Sequence, residues 1–341
     1  MTIGRGWMKL NIFTYHDAIR GYLEKDLEFL RNNSYRTLDS DELFKAVRGD
    51  YFNKGASLTF DDGRISCWTV LYPLLKKYGC RAILFIVPGF VEKRRDVFQE
   101  KTNAGGSSRK LEDMNRYCSW VELKEMVDSG TVDVQSHSMA HEIVFSSGEL
   151  VDFQRPSDSG NPLYPQWFSA ENPRWGLPIY ACSWKGAVDN EYRPDDITGG
   201  KCVEYVSAGG GLEFFNDRSW KKRLLSEYRR NSRSGKMIKI DFDRSRYLEN
   251  SLRLSQGMIY EKLGRTPQFF AAPVHSYDDL VISILKKEGF KGLFNGGART
   301  VVDHDGFVIF GRRRSGAPRR LSGAGRETLM QRILKRLSND G

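Results

Sequence analysis

The sequence is short of cysteines and of long apolar runs, and both shortages narrow the class of protein. Only five of its 341 residues are cysteines, and they are widely spaced with no Cys-x-x-Cys pair. An odd, scattered set argues against a disulfide framework and a cysteine zinc site, and it predicts reduced, mostly buried thiols. No apolar run approaches the roughly 18 residues that a membrane span requires. We therefore expect a globular chain without a membrane-spanning helix.

The chain also lacks a recognisable secretory signal at its start. Residues 1–7 include a cation but have neither the apolar centre nor the small-residue cleavage site of such a signal. We predict a cytoplasmic protein, with a peripheral position at the inner face of a membrane as an alternative. The formal net charge of +10 favours an anionic contact. Charge alone leaves lipid headgroups, a phosphorylated sugar carrier and nucleic acid open.

Short apolar segments alternate with helical patterns through most of the chain, which is typical of parallel βα units. The predicted strands cover 10–14, 56–60, 82–87, 132–136, 268–272, 291–294 and 307–310. Predicted helices cover 68–78, 244–263 and two further stretches that begin at Ser119, where Ser119 and Glu122 form a capping box, and at Ser276. We interpret residues 1–341 as a single α/β domain.

Residues 146–216 interrupt this alternation with a segment rich in proline, glycine and aromatic residues. A structureless loop of that length is improbable in a compact domain, so we predict a folded insertion or lid. Residues 312–341 form a basic tail, and residues 328–337 have the spacing of an amphipathic helix. This helix either closes the domain or lies on an anionic membrane surface.

Polar residues cluster where predicted strands end. Asp61, Asp62 and Gly63 follow the second strand, and His137 and His141 follow the fourth. Adjacent carboxylates are costly to bury without a nearby positive charge, and two imidazoles four residues apart can point the same way from one helical turn. Two histidines and one aspartate would leave open coordination positions on a divalent ion, as catalytic sites do.

Each of these motifs is weak alone. An Asp-Asp-Gly sequence is usually only a turn, and paired histidines are more often solvated or structural than metal ligands. Their joint occurrence at strand ends favours the metal site. Because carboxyl ends of parallel strands converge on one face of a closed barrel, we expect these residues to share one pocket.

These motifs resemble those of the polysaccharide deacetylase family, which is carbohydrate esterase family four with its NodB-like homology domain. The similar segments include Tyr15-His16, Thr-Phe-Asp-Asp-Gly at 59–63, the Val-Asp-Val-Gln-Ser-His-Ser-Met-Ala-His stretch at 132–141, and residues 269–294. The resemblance implies a distorted barrel of seven or eight βα units that carries the large aromatic-rich insertion. It also implies a bound divalent metal ion, for which Zn²⁺ is our first choice.

The resemblance implies residue roles as well. Asp62, His137 and His141 would bind the metal, and Asp61 would be the general base in hydrolysis of an acetamide on a sugar. The family arginine that orients the base would fall near Ala271 and is missing. We expect Arg312, Arg313 or Arg314 to replace it.

The family's late Leu-x-His motif, which supplies the general acid, is also not recognisable. We predict that His275 takes this role, with His304 and His16 as alternatives. Each of these histidines could equally be structural or merely exposed.

Candidate substrate contacts are less specific. We predict that Pro273, Trp175, Tyr180 and His16 contact the substrate. Trp175 and Tyr180 lie in the aromatic insertion, where large rings serve a compact core as readily as a sugar platform. Arg174 belongs to the same stretch.

The function that we predict is removal of N-acetyl groups from an amino-sugar unit of a polysaccharide or glycan precursor. The alternative is a catalytically inactive protein of the same fold that binds metal and carbohydrate, which the missing arginine and acid would explain. The predicted partners are an N-acetylated glycan and an anionic membrane surface or lipid-linked glycan. Nucleic-acid binding has no recognition motif to support it.

Overall fold

Seven parallel strands close into a barrel in the computed structural model. It describes residues 10–50, 54–92, 116–156, 174–194, 196–232, 237–297, 299–303, 305–314 and 318–321. The barrel strands are β1 (Ile12–Tyr15), β3 (Gly55–Asp62), β4 (Ala82–Ile86), β5 (Val132–Ser136), β10 (Phe269–Ala271), β11 (Gly292–Gly296) and β13 (Val308–Arg314). Their order is β1-β3-β4-β5-β10-β11-β13, and β13 pairs back with β1. The predicted barrel is confirmed, with seven strands.

Two short strands extend the barrel sheet. Strand β2 (Arg36–Thr37) pairs parallel with β3, and β12 (Val301–Val302) pairs antiparallel with β13. The helices are α1 (Arg20–Asn32), α2 (Ser40–Val47), α3 (Tyr72–Tyr78), α4 (Trp120–Asp128), α5 (Asp196–Ala208), α6 (Trp220–Asn231), α7 (Arg244–Leu263) and α8 (Asp279–Lys287). The predicted capping box is present at the start of α4, where Ser119 and Glu122 bond to each other's backbone.

Large aromatic side chains fill the barrel, because alternate residues of each strand point inward. Phe85, Phe269, Phe294 and Phe310 are fully buried there, and the rings of Phe294 and Phe310 stack with centroids 4.5 Å apart. The polar side chains at the strand ends therefore lie above a core of packed aromatic rings.

The insertion folds as a second, four-stranded antiparallel sheet in the order β7-β6-β8-β9. These strands are β6 (Ile143–Phe153), β7 (Pro178–Trp184), β8 (Asn190–Pro194) and β9 (Met237–Asp241). A separate core that includes Phe153, Phe214 and Leu224 joins the sheet to α5 and α6. The elements of this sheet begin at Ile143 and end at Asp241, so they extend beyond the predicted segment 146–216 on both sides.

Other sequence-based boundaries also need correction. Helix α8 begins at Asp279 with Asp278 as its cap, three residues later than predicted. Arg312–Arg314, which we had assigned to the basic tail, belong to β13, and Leu321 packs into the core beside α1. The predicted amphipathic helix at 328–337 and His304 lie outside the described residues.

The remaining expectations concern cysteines and membrane spans. Cys67, Cys80, Cys118 and Cys202 are buried without a disulfide partner, and Cys182 is partly buried. Among the helices of the described ranges, none has both the length and the apolar character needed to cross a membrane.

Candidate metal centre and active site

The two adjacent carboxylates lie at the carboxyl end of β3, where backbone geometry turns them in different directions. Asp61 points into the barrel and is 1% exposed. Asp62 has a positive φ of 74°, and Gly63 follows with a φ of 75°. This left-handed turn separates the two carboxylates, which would repel each other if they shared one direction. Asp61 and Asp62 can therefore have different chemical roles in the site.

The two histidines follow β5 in a loop, so the helical turn that we predicted for them is wrong. His137 continues the strand direction, and its backbone N–H donates to the carbonyl of Ile86. Ser138 and His141 have positive φ angles of 68° and 48°. The hydroxyl of Ser138 accepts a hydrogen bond from the N–H of His141, which closes the loop. The imidazole centroids are thereby brought to 4.9 Å.

Asp62, His137 and His141 present one potential ligand atom each, and these three atoms lie within 4.8 Å of one another. The Nδ1 atom of His137 donates to the carbonyl of Ala271 at 2.8 Å. The proton on Nδ1 leaves the lone pair of Nε2 free, and Nε2 lies 3.7 Å from an Asp62 oxygen. Two imidazoles and one carboxylate therefore fit a divalent ion that keeps open coordination positions.

The second oxygen of Asp62 is held by Arg64, whose Nη2 atom lies 2.8 Å away. Arg64 is buried and also bonds to Asp17. A guanidinium behind a ligand carboxylate fixes its orientation, much as a hydrogen-bond acceptor fixes a ligand histidine. Sequence analysis missed Arg64, because an arginine two residues after an aspartate carries no spacing signal.

Arg312 is one of the three arginines that we expected to replace the missing family arginine, and it contacts Asp61. Its Nη1 atom donates to Asp61 at 2.6 Å and lies 3.3 Å from the hydroxyl of Thr59. The side chain of Arg312 is fully buried and its guanidinium lies over the ring of Phe85. Of the three arginines that we expected to compensate, the structure brings Arg312 to Asp61.

The charges at the site set the protonation states of its acids. Burial alone would raise the pKa of Asp61, but the attraction of Arg312 and His137 and the hydrogen bond from Arg312 outweigh it, so the pKa is lowered. Burial likewise opposes ionisation of Asp62, and the nearby Arg64 and His141 lower its pKa well below the usual range. Both carboxylates are therefore ionised at neutral pH.

The pKa values of both histidines are shifted in the direction that metal ligands require. Burial lowers the pKa of His137 to about 4, against an opposing attraction from Asp61. Burial also lowers the pKa of His141. Both imidazoles are neutral at pH 7, and a neutral imidazole can donate its lone pair to a cation.

The two described candidates for the general acid follow different barrel strands. His275 follows β10 and its Nδ1 atom lies 3.5 Å from the Nη2 atom of Arg312. His16 follows β1 and is exposed, and its charge lowers the pKa of both Asp61 and Asp62. His275 and His16 are therefore the two described candidates for the general acid.

The loop that carries His275 has an unusual backbone. Pro273 is buried and opens a 3-10 turn in which Val274 and His275 have positive φ angles of 47° and 58°. A β-branched residue in this region is strained and persists only where its surroundings hold it. A Cβ atom at Gly296 would lie 3.0 Å from the His275 ring, so a residue without a side chain makes room for it.

The two substrate contacts predicted in the insertion are placed in its core. Tyr180 is 4% exposed, with Phe145 and Tyr228 against its ring. Trp175 is partly buried against the core of the insertion. The role of Tyr180 as a sugar platform is corrected, because its ring has no open face. Aromatic rings do approach the metal ligands elsewhere: Phe90 lies 6.3 Å from His141, centroid to centroid.

The protein is an α/β domain built on a seven-stranded parallel barrel. Its candidate metal centre lies at the carboxyl ends of the barrel strands. Residues 49–157 match the family model described as polysaccharide deacetylase. This span contains the two carboxylates, both candidate ligand histidines and the strands between them. The resemblance to the polysaccharide deacetylase family is confirmed.

Individual relatives agree with this assignment. The Bacillus subtilis (strain 168) protein YxkH is 26% identical over 143 residues, 39% of this chain and 43% of that protein. A poly-beta-1,6-N-acetyl-D-glucosamine N-deacetylase of Escherichia coli K12 is 27% identical over 118 residues, 34% of this chain and 17% of that protein. The matches thus span less than half the length of these relatives. The structure of IcaB from Ammonifex degensii has the same fold, with a TM-score of 0.53, 18% identity and coverage of 94% of this chain and 97% of that one.

Proposed function

We propose that this chain is a metal-dependent hydrolase that removes N-acetyl groups from an amino-sugar unit of a polysaccharide or glycan precursor. One observation carries the proposal: a buried carboxylate, Asp61, lies next in sequence to Asp62, which forms a separate cluster of three potential metal ligands with His137 and His141. A protein that only binds metal and sugar needs the ligands but not the second carboxylate. The relative from Escherichia coli, whose name specifies an N-acetylglucosamine polymer, supports the choice of substrate class.

The ligand set would hold a divalent ion, with Zn²⁺ as our first choice because two imidazoles and one carboxylate suit it. When bound, such an ion polarises the acetamide carbonyl and increases the acidity of water. His137 is aligned for this by the carbonyl of Ala271, and Asp62 by Arg64. The chain's own contribution is therefore a preorganised set of ligands.

Asp61 would act as the general base. It accepts a proton from the water that attacks the acetamide carbon, and its ionised form is ready because Arg312 stabilises the negative charge. Arg312 also fixes the carboxylate in one orientation, which keeps the accepting oxygen in place. This contact removes the main argument for the inactive alternative, since the arginine is supplied by a different strand.

The carbon–nitrogen bond can break only if the departing amine receives a proton. His275 was our prediction for this acid, and its Nδ1 atom lies 3.5 Å from the Nη2 atom of Arg312. His16, at the end of β1, is the alternative, and His304 lies outside the described residues. The products are acetate and a free amino sugar.

Acetate release from N-acetylglucosamine oligomers would test the proposal. We expect the wild-type chain loaded with Zn²⁺ to release acetate and Asp61→Asn to bind Zn²⁺ equally well while losing activity by about 10²–10⁴-fold. Parallel assays of His16→Ala and His275→Ala identify the acid as the variant with the larger loss in kcat. A fully loaded wild-type chain that binds the oligomers and releases no acetate would establish the inactive alternative.

A further inference from the structure

We propose that residues 183–189 of the insertion act as a buttress that positions both loops of the active site, with Lys185 of this segment and Arg244, which contacts it, as positioning residues. The segment contains the end of β7 and the turn into β8. We define the buttress by these residues, the metal loop as 137–142 and the His275 loop as 273–278. The proposal rests on the proposed function only in treating these two loops as parts of one active site.

Lys185 of the buttress contacts Glu142 of the metal loop. The backbone N–H of Lys185 donates to the carbonyl of Glu142 at 2.9 Å. Its Nζ atom lies 2.9 Å from the Glu142 carboxylate and 3.2 Å from that of Glu191. Glu142 directly follows the ligand His141. The position of the His141 backbone is therefore tied to the insertion by both a main-chain and a side-chain contact.

A second set of contacts joins the buttress to the His275 loop. The hydroxyl of Ser183 donates to that of Ser276 at 3.0 Å. Arg244, which is 8% exposed, donates from Nε to the carbonyl of Gly186 at 2.9 Å. Its Nη2 atom lies 2.7 Å from Asp278, the residue that caps α8. Arg244 thus connects the turn of the buttress to the end of the His275 loop.

The interior of the buttress is closely packed. Trp184 is fully buried, and its ring lies 5.7 Å from that of Phe270, the neighbour of the Ala271 whose carbonyl aligns His137. A Cβ atom at Gly186 would lie 2.4 Å from the Trp184 ring and 2.7 Å from Leu248. Side chains packed this closely cannot shift without displacing their neighbours, so the position of the buttress affects the residues that contact it.

The backbone conformation of the two loops indicates that they need supporting contacts from outside. Ser138, His141, Val274 and His275 all have positive φ angles, which non-glycine residues adopt at a cost. Such conformations persist only where surrounding contacts hold them. The buttress contacts both loops at their boundaries, so its loss should let the ligand and acid side chains relax away from their working positions.

Zn²⁺ affinity of the purified chain, measured by competition with a chromophoric chelator, tests this proposal without reference to acetate release. We expect Lys185→Met to weaken the affinity about tenfold, as loss of a supporting contact to a metal ligand typically does. Lys185→Arg, which keeps the charge, should restore most of the loss. Lys201→Met is the matched control, because Lys201 lies in the insertion and pairs with Glu204 on the surface.

Glu142→Gln removes the same ion pair from the opposite side and should weaken Zn²⁺ binding to a similar extent. It decides the question if Lys185→Met does not fold. Affinities for both variants equal to those of the wild type and Lys201→Met would overturn the buttress.

Amide hydrogen exchange of the metal-free chain separates this proposal from the proposed function. We expect Lys185→Met to accelerate exchange severalfold in peptides covering 137–142 and 273–278, with no change in Lys201→Met. This result would support the buttress even if the wild type bound no Zn²⁺, an outcome that would refute only the metal-dependent hydrolase. Unchanged exchange in both loops would refute the buttress, whatever the metal content.

Discussion

The candidate site has two halves that the sequence specifies in different ways. The metal half, Asp62, His137 and His141, comes from two short motifs, each at the end of one barrel strand. The proton-transfer half combines Asp61 with Arg312, 251 residues further along the chain, and with His16 or His275 from other strand ends. The metal half therefore depends on two local motifs, whereas the proton-transfer half depends on strands that become neighbours only in the closed barrel.

The largest expected effect comes from breaking the metal half. We predict that Asp62→Ala loses Zn²⁺ binding and reduces acetate release by more than about 10³-fold, because removing a ligand carboxylate also leaves Arg64 buried without its main partner. Equilibrium dialysis and an acetate assay would measure the two losses. Asp62→Ala that retained full zinc and activity would contradict the assignment.

Breaking the proton-transfer half should affect activity without removing the metal. For Arg312→Met we expect a decrease in kcat of about 10²-fold with one Zn²⁺ still bound, because the base loses its orientation and partner. The decrease should appear in kcat and leave KM nearly unchanged. Loss of zinc in this variant would show that the two halves are not separable in the way we describe. A circular dichroism spectrum is needed to confirm that the buried substitution still folds.

Much of the fold and of the candidate site could be predicted from the sequence. All seven barrel strands were predicted within a few residues, because parallel strands that are buried on both faces appear as short apolar runs with clear boundaries. The candidate metal ligands could be named from the sequence because their motifs are contiguous, and the structure brings the three residues together. The arginine that contacts Asp61 could be narrowed only to three candidates, because no spacing rule relates strands that become neighbours when a barrel closes.

Other features had no signal in the sequence. The helical turn predicted for His137 and His141 failed, because two residues with positive φ angles are invisible in a sequence without glycine at those positions. The aromatic residues of the insertion gave the same signal for a core and for a sugar platform, and Tyr180 proved to be core. Lys185 and Arg244 are ordinary charges in the sequence, and only tertiary contacts give them a role.

A pH titration of stability probes the metal half in the absence of metal. Burial lowers the pKa of His137 to about 4 in the folded chain, whereas an unfolded histidine titrates near pH 6.5. Between these values the unfolded state binds a proton that the folded state does not, so the free energy of unfolding should fall as the pH is lowered from 6.5 to 4. We predict that His137→Gln shows a shallower decline in urea titrations of the metal-free protein. An equal decline in both proteins would contradict the neutral, buried state of His137.

The smallest expected effect concerns the insertion. Because the ring of Tyr180 is buried within the insertion core, we predict that Tyr180→Phe leaves KM for N-acetylglucosamine oligomers unchanged and alters the free energy of unfolding by about 1 kcal/mol or less. Steady-state kinetics and urea denaturation would measure both quantities. A severalfold increase in KM would restore Tyr180 as a substrate contact.

The central claim is that Asp62, His137 and His141 share one cation while Asp61 stays outside its ligand set. Anomalous diffraction at the zinc edge from crystals grown with Zn²⁺ measures this directly. The account predicts one strong peak at about 2.0–2.2 Å from an oxygen of Asp62 and a nitrogen of each histidine. A peak at another position, or no peak at these three residues with zinc in excess, would contradict it.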